Sequence, residues 1–243
     1  MLRVYIIRHA QSANNALADQ GGRVADPGLT SLGERQAAML AEHLAIGDSR
    51  DIEFDIQTGF SINESRAGGF GITHLYTSAM HRALLTTQSI ARLLDIPIHI
   101  WRDIHEEGGV YLDEGSGRAG KPGKTSAEIA AEFPGFVIPE DVTHEGWWGP
   151  ARGYESRADA FERARRVASN LRARAESSDV IGLVTHGTFI DRLLKMLLGQ
   201  AEDSRYFYLH YNAAITRLDF LDQERILLRY VNRSEHLPAD MVS

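Results

Sequence analysis

The sequence predicts an α/β sandwich of three layers, with a mainly parallel central sheet flanked by helices. Three observations predict it: short apolar runs without polar alternation, amphipathic helical stretches between those runs, and a length and composition ordinary for one globular domain. The chain has 243 residues, 43% hydrophobic and 24% charged, enough to bury a full core in one unit. A strand buried on both faces reads as a continuous β-branched or aromatic run, and strands separated by helices give a parallel sheet.

Val4-Tyr5-Ile6-Ile7 is such a run and leads directly into Arg8-His9. Ser31-Leu32-Gly33-Glu34 has a capping-box pattern, and Ala37, Leu40, Ala41 and Leu44 follow on one helical stripe, so a helix is expected over about 31–46. The stretch 47–71 is polar and Gly-rich, and its length points to an insertion with small elements of its own. His74–Thr77 reads as a second strand. Beyond Ser78, residues Ala83, Thr87, Ile90, Ala91 and Leu94 trace a helix that stops before Pro97 and carries Arg82 near its start.

A third strand is expected at 98–101. The Gly-, Pro- and aromatic-rich segment 108–153, with Trp147 and Trp148, reads as a second insertion, more cover than core. Phe161, Ala164, Ala168, Leu171 and Ala175 mark a long helix whose Arg163, Arg165, Arg166, Arg172 and Arg174 read as its solvated face. Then come the apolar strand Val180–Thr185 and a helix of Phe189, Leu193, Leu194, Leu197 and Leu198 closed by Gly199. Segments 213–221 and 226–231 look like a final strand pair turning at Asp222-Gln223-Glu224. No internal repeat interrupts this order, so 1–243 is expected to be one domain with insertions at about 47–71 and 108–153.

Composition excludes several function classes. A net charge of -7 argues against generic attraction to nucleic acid or to an anionic membrane, so any basic cluster is local. The absence of cysteine removes disulfides, thiol nucleophiles and zinc–thiolate sites. Residues 1–7 are too short, with Arg3 too near the start, for a signal peptide, and no apolar run approaches the roughly 18 residues of a membrane span. A cytoplasmic protein is expected. Monomer and homodimer both stay open.

Ligands of an open α/β sheet gather at the carboxyl ends of its strands. Arg8-His9 follows the first strand, Ser78 and Arg82 the second, and His186-Gly187-Thr188 the strand Val180–Thr185. Two imidazoles and two guanidiniums at one sheet edge suit a dianionic phosphoryl group.

At these residues the sequence resembles the histidine phosphatase superfamily, which includes phosphoglycerate mutases and histidine acid phosphatases. Arg8-His9-Ala10-Gln11-Ser12-Ala13-Asn14-Asn15 resembles the family's Arg-His-Gly-Glu-Thr-x-x-Asn signature, with Ala10 for Gly and Gln11-Ser12 for Glu-Thr. Pro27-Gly28-Leu29-Thr30 with Gly33 and Gln36-Ala37, Ser78 through Thr87, and Thr185-His186-Gly187 resemble its further blocks, and Asn232 with His236-Leu237 its terminal one.

The resemblance implies a phosphoglycerate mutase-like fold and a covalent phosphohistidine at His9. Arg8, Arg82 and His186 would neutralise and orient the phosphoryl oxygens, and Asn15, Gly187 and Thr188 would add binding contacts. Ile104-His105-Glu106 is similar to the family's Leu-x-Glu element and makes Glu106 the expected proton donor and acceptor, with Glu107 the competing candidate. No cofactor and no metal are called for. The partner is a small phosphorylated metabolite.

Hydrolysis is favoured over a cofactor-dependent phosphoglycerate mutase, because Glu106-Glu107-Gly108-Gly109-Val110 does not match the Asn-Glu-Arg-x-Tyr-Gly stretch of the family's mutases. A non-catalytic phosphate-binding scaffold would keep the fold and lose the nucleophile. Taken singly, Ser78 reads equally as a helix cap and Asn15 as a turn residue. His81 and His105 read as surface or supporting residues, and Trp147 and Trp148 as anchors of the cover.

Overall fold

A computed structural model describes residues 1–47, 69–115 and 117–243. The first expected insertion, 47–71, therefore lies almost wholly outside the described residues.

Nine strands and five α-helices are described. They are β1 (Leu2–Arg8), α1 (Ser31–Ile46), β2 (His74–Thr77), α2 (His81–Ala91), β3 (Ile98–Ile100), β4 (Tyr111–Glu114), β5 (Gly117–Gly120), α3 (Ser126–Glu132), β6 (Phe136–Val137), α4 (Arg157–Ala173), β7 (Val180–Thr185), α5 (Gly187–Leu197), β8 (Ile215–Phe220) and β9 (Ile226–Arg233). Seven strands form one sheet in the order β6-β3-β2-β7-β1-β8-β9, while β4 and β5 make a separate hairpin.

The five strands from β6 to β1 run parallel, and β8 and β9 add antiparallel at the far edge. In register, Arg8 stands beside Thr185 and Thr77 beside Val184. Three adjacent strands therefore end level, and the residues after them, His9, Ser78 and His186, emerge at one edge.

The pleat of β1 divides the core. Leu2, Val4 and Ile6 pack with Ala164, Val167 and Leu171 of α4 and with Phe189 and Leu193 of α5. Tyr5 and Ile7 pack on the opposite face with Leu40 and Leu44 of α1 and Ala83 and Ile90 of α2. This alternation makes the three expected layers. Gly182 of β7 faces Leu75 so closely that a Cβ there would lie 2.8 Å from its Cδ1.

Several details differ from the expectation. The α1 cap is Thr30, whose Oγ1 accepts from Gly33 N at 3.0 Å, one residue before the Ser31 pattern. Segment 108–153 is more than a cover: it adds β6 to the sheet and buries Val110, Ile129, Phe133, Val142, Trp147 and Trp148 against Ala79, Met80 and Leu84. Trp147 and Trp148 thus anchor it. No helix among the described residues is long and apolar enough to cross a membrane.

Arg163 corrects the reading of α4 as solvated along all its arginines. It is 2% exposed. Its Nε and Nη2 donate to Glu155 at 2.8 and 2.6 Å, and its Nη1 donates to the carbonyls of Asp103 and His105, both at 2.8 Å. Periodicity missed this because 163 sits at the rim of the apolar stripe, where the partner comes from a distant loop. Arg163→Met leaves buried Glu155 without its guanidinium partner and is expected to cost about 3–5 kcal/mol, read as a lower urea midpoint at unchanged slope.

Candidate active site

His9 lies immediately beyond β1 and is 2% exposed. Its backbone N–H donates to the Thr185 carbonyl at 2.9 Å. Nδ1 is 2.6 Å from the carbonyl oxygen of Ala10, which can only accept, so Nδ1 carries the ring proton. Nε2 is left with its lone pair and accepts from Arg82 Nε at 3.1 Å. Burial, then the charges of Arg82 and Arg8, hold His9 well below the usual histidine range, against a smaller opposing effect of the Ala10 contact. The ring is therefore neutral at physiological pH, with the unprotonated nitrogen turned to a cation.

Arg82 comes from the first turn of α2 and is itself buried. Asp26 supports that turn: its Oδ1 accepts from His81 N at 3.0 Å and stands 4.0 Å from Arg82 Nη1. Arg8 ends β1 and donates from Nη1 to the His210 carbonyl at 2.5 Å. Gly187 leaves room for this guanidinium, since a Cβ there would fall 3.3 Å from Arg8 Nε.

His186 is fully buried, and its ring centroid is 5.0 Å from that of His9. Ser78 Oγ accepts from Met80 N at 3.2 Å and meets His186 Nε2 at 2.8 Å. We assign the hydroxyl proton to that second contact, which makes Nδ1, buried without a hydrogen-bond partner, the N–H of His186. Burial first, then Arg82, lowers the His186 pKa well below the usual value. Ser78 thus sets the orientation of His186, while the residue at the α2 cap position is Met80.

A cavity of about 280 Å³ opens at this edge, lined by Arg8, His9, Asn15, Arg82, Glu106, Thr188 and six further residues. His186 and Gly187 are not part of the lining. Asn15 serves the turn as well: its Oδ1 accepts from the Ser12 N–H and hydroxyl at 3.1 and 2.9 Å.

The two candidate carboxyls are held differently. Glu106 accepts three backbone N–H groups, from Glu107, Thr188 and Phe189 at 2.9–3.1 Å, two of them at the start of α5, where the helix dipole favours an acceptor. The Thr188 amide is thereby committed to Glu106. Glu107 Oε2 instead accepts from Arg192 Nε at 2.8 Å. That arginine, with Lys195, is bound to buried Asp191, whose Oδ1 also accepts from Tyr208 N at 3.0 Å.

Sequence reasoning missed Asn14, Arg23, Tyr111 and Tyr154 in the lining. It also missed Asn212, whose Nδ2 donates to the His9 carbonyl at 2.9 Å beside Ala213, held at a φ of 60°. Nothing in a loop of isolated polar residues signals such contacts. His81 pairs with Glu132 at 2.7 Å, away from the cavity lining, and His105 is buried against Trp147 and Trp148. Asn232 and His236 are structural: Asn232 accepts from Tyr211 N at 2.6 Å, and His236 stacks on His43 at 4.9 Å. Among the described residues no group of three or more histidine or carboxylate side chains is placed to hold a metal ion.

A model of the histidine phosphatase superfamily (branch 1) matches residues 4–53 and 64–233. A comparison with curated proteins gave no significant match. Among solved structures, a phosphoserine phosphatase from Entamoeba histolytica in complex with 3-phosphoglyceric acid is similar at a TM-score of 0.57 and 19% identity, over 98% of this chain and 100% of that one. A putative α-ribazole-5'-phosphate phosphatase from Escherichia coli gives 0.60 at 16% identity, over 96% and 97%. A mycobacterial glucosyl-3-phosphoglycerate phosphatase gives 0.57 at 23%, over 96% and 99%. At these identities the likeness to solved structures is one of fold.

Buried neutral histidines make stability depend on pH. Burial is the main cause that brings both His105 and His210 down to about 4, whereas in the unfolded chain they titrate near 6.5. Between those values the unfolded state binds more protons, so their contribution is complete above pH 6.5 and is lost as pH falls towards 4. From pH 7 to pH 5 each is expected to remove about 2 kcal/mol, with His9 and His186 acting in the same direction. Urea denaturation at the two pH values measures it, and equal stabilities would refute the neutral assignments.

Proposed function

Since the chain belongs to the histidine phosphatase superfamily, we propose that it is a phosphatase that hydrolyses a small phosphate monoester through a phosphohistidine formed at His9. The observation that carries this reading is the state of one nitrogen. His9 Nε2 is unprotonated, lies at a polar cavity, and is flanked by two guanidiniums.

In the first step Nε2 exchanges its hydrogen bond from Arg82 for a bond to phosphorus. Arg82 and Arg8 then face the phosphoryl oxygens, while His186, which is not part of the lining, is held by Ser78 against the His9 ring. Because phosphoryl transfer has charge spread over three oxygens, positioning and fixed donors supply most of the catalysis. The ester P–O bond breaks as the N–P bond forms, and Glu106, having taken up the proton of the monoanionic ester as it binds, passes that proton to the departing alkoxide. In the second step Glu106 takes a proton from water, the hydroxide oxygen bonds to phosphorus, and the N–P bond breaks. Phosphate leaves and His9 returns to its starting tautomer.

Glu106 is favoured over Glu107 for this exchange because three backbone N–H groups fix its carboxyl beside the cradle, whereas Glu107 is engaged by Arg192. Hydrolysis is favoured over mutation because the mutase stretch is absent after Glu106. The similar solved structures cited above are phosphatases by name, which supports the same choice.

His9→Ala is expected to abolish phosphate release from every ester, since a methyl group cannot bond phosphorus. Glu106→Gln is expected to slow turnover by about 10²–10⁴ while the affinity for a bound ester changes little. Phosphate release beside mutase activity, over a panel of phosphorylated metabolites, measures both. If Glu107→Gln gives the larger loss in kcat, the acid/base assignment moves to Glu107.

A further inference from the structure

Three backbone N–H groups hold the Glu106 carboxyl from in front, and a buried arginine holds the chain behind it. Arg163 of α4 is 2% exposed, and its Nη1 donates to the carbonyls of Asp103 and His105, both at 2.8 Å. Between these, the Ile104 carbonyl accepts from Thr185 Oγ1 at 2.6 Å, and beyond them the Glu106 carbonyl accepts from Gly109 N at 3.1 Å. Every carbonyl from Asp103 to Glu106 therefore has a donor, and the same guanidinium supplies those on either side of Ile104.

Glu155 fixes the direction of that guanidinium. Its carboxylate oxygens accept from Arg163 Nε and Nη2 at 2.8 and 2.6 Å, a bidentate pair with little rotational freedom. The Glu155 N–H donates to the Gly108 carbonyl at 3.2 Å, so the pair also secures the far end of the loop. On its other side, Arg163 Cζ lies 4.5 Å from the ring centroid of Phe189, whose N–H is one of the donors to Glu106. Neither Arg163 nor Glu155 lines the cavity. A buried ion pair adds little stability over apolar groups of the same volume, but apolar groups could not hold two carbonyls at fixed points.

We infer that Arg163, directed by Glu155, is a positioning residue for the acid step: it sets where the Glu106 carboxyl meets the oxygen of the departing alcohol. The role rests on the phosphatase reading above, and Arg163 itself touches no reacting atom. An alkoxide is a poor leaving group and needs a proton to depart, whereas a nitrophenolate spreads its charge into the ring and departs without one. Displacing Glu106 by about 1 Å therefore slows cleavage of alkyl esters by about 10–10²-fold and that of nitrophenyl esters little.

The test measures kcat/KM, which covers the steps up to departure of the alcohol, for para-nitrophenyl phosphate and for the alkyl phosphate that the enzyme turns over best. The alkyl-to-aryl ratio is compared in the wild type, Glu106→Gln, Arg163→Lys, and Arg163→Met combined with Glu155→Leu. Arg163→Lys keeps a charge opposite Glu155 and loses the planar fork that reaches both carbonyls. The double variant removes both buried charges together and so provides a folded protein if the lysine variant fails to fold. In each the ratio is expected to fall about tenfold or more, in the same direction as in Glu106→Gln. Arg163→Lys added to Glu106→Gln is expected to lower the ratio no further, because it acts through that carboxyl. A partly unfolded preparation lowers both rates alike and leaves their ratio unchanged, so lost stability does not imitate the effect.

A ratio that falls in Glu106→Gln and stays at the wild-type value in both Arg163 variants would overturn this role and leave the phosphatase reading intact. A full further fall when Arg163→Lys is added to Glu106→Gln would also overturn it, since Arg163 would then act elsewhere. If the wild type releases phosphate from no ester of the panel, the phosphatase reading fails and takes this role with it.

Discussion

Everything at the active edge depends on keeping one imidazole neutral. A histidine exposed to water near pH 6.5 would be half protonated and useless as a nucleophile. Burial between two guanidiniums removes that proton in His9, and the Ala10 carbonyl decides which nitrogen keeps the other one. The arrangement is costly for the fold, because two arginines, two histidines and a carboxyl group are drawn into one poorly hydrated place. The apolar layers on both faces of the sheet must offset it.

Neighbouring elements share the work of holding these charges. The backbone N–H groups at the start of α5 donate to Glu106, and Asp191 on the same helix gathers Arg192, Lys195 and the Tyr208 amide. The chain after Tyr208 then supplies the His210 carbonyl to Arg8 and the Asn212 amide to His9. One helix and the strap beyond it thus orient groups from β1 that are about two hundred positions away in sequence. Gln11, a departure from the family signature, accepts from the Thr30 hydroxyl through its side-chain Oε1 at 2.7 Å, while its backbone carbonyl accepts from Thr30 N at 3.0 Å and its N–H donates to Gln36 Oε1 at 2.8 Å. Gly33 allows that approach, since a Cβ would lie 2.1 Å from the Gln11 oxygen.

The segment 108–153 does two things at once. Its aromatic residues bury a separate apolar cluster on α2, and its hairpin brings Tyr111 to the cavity. The second glycine after Glu107, Gly109, is tied to this packing, because it has a φ of 69° and a Cβ there would collide with Trp148 at 2.3 Å. The unusual Gly-Gly spacing beside the candidate acid is thus a consequence of how the segment folds down.

The layers, the helices at 31–46 and after Ser78, and the gathering of Arg8, His9, Arg82 and His186 are all legible along the chain. These follow from local periodicity and from the rule that adjacent parallel strands end together, and both can be read along the chain. Tertiary structure alone decided that Arg163 is buried, that Glu106 sits on the N-terminus of α5 while Glu107 is held by Arg192, and that Asn14, Arg23, Tyr111 and Tyr154 share a cavity with His9. Each of these is a contact between residues far apart in sequence, carried by loops with no period, and its energy exists only once the sheet has brought those loops to the same edge.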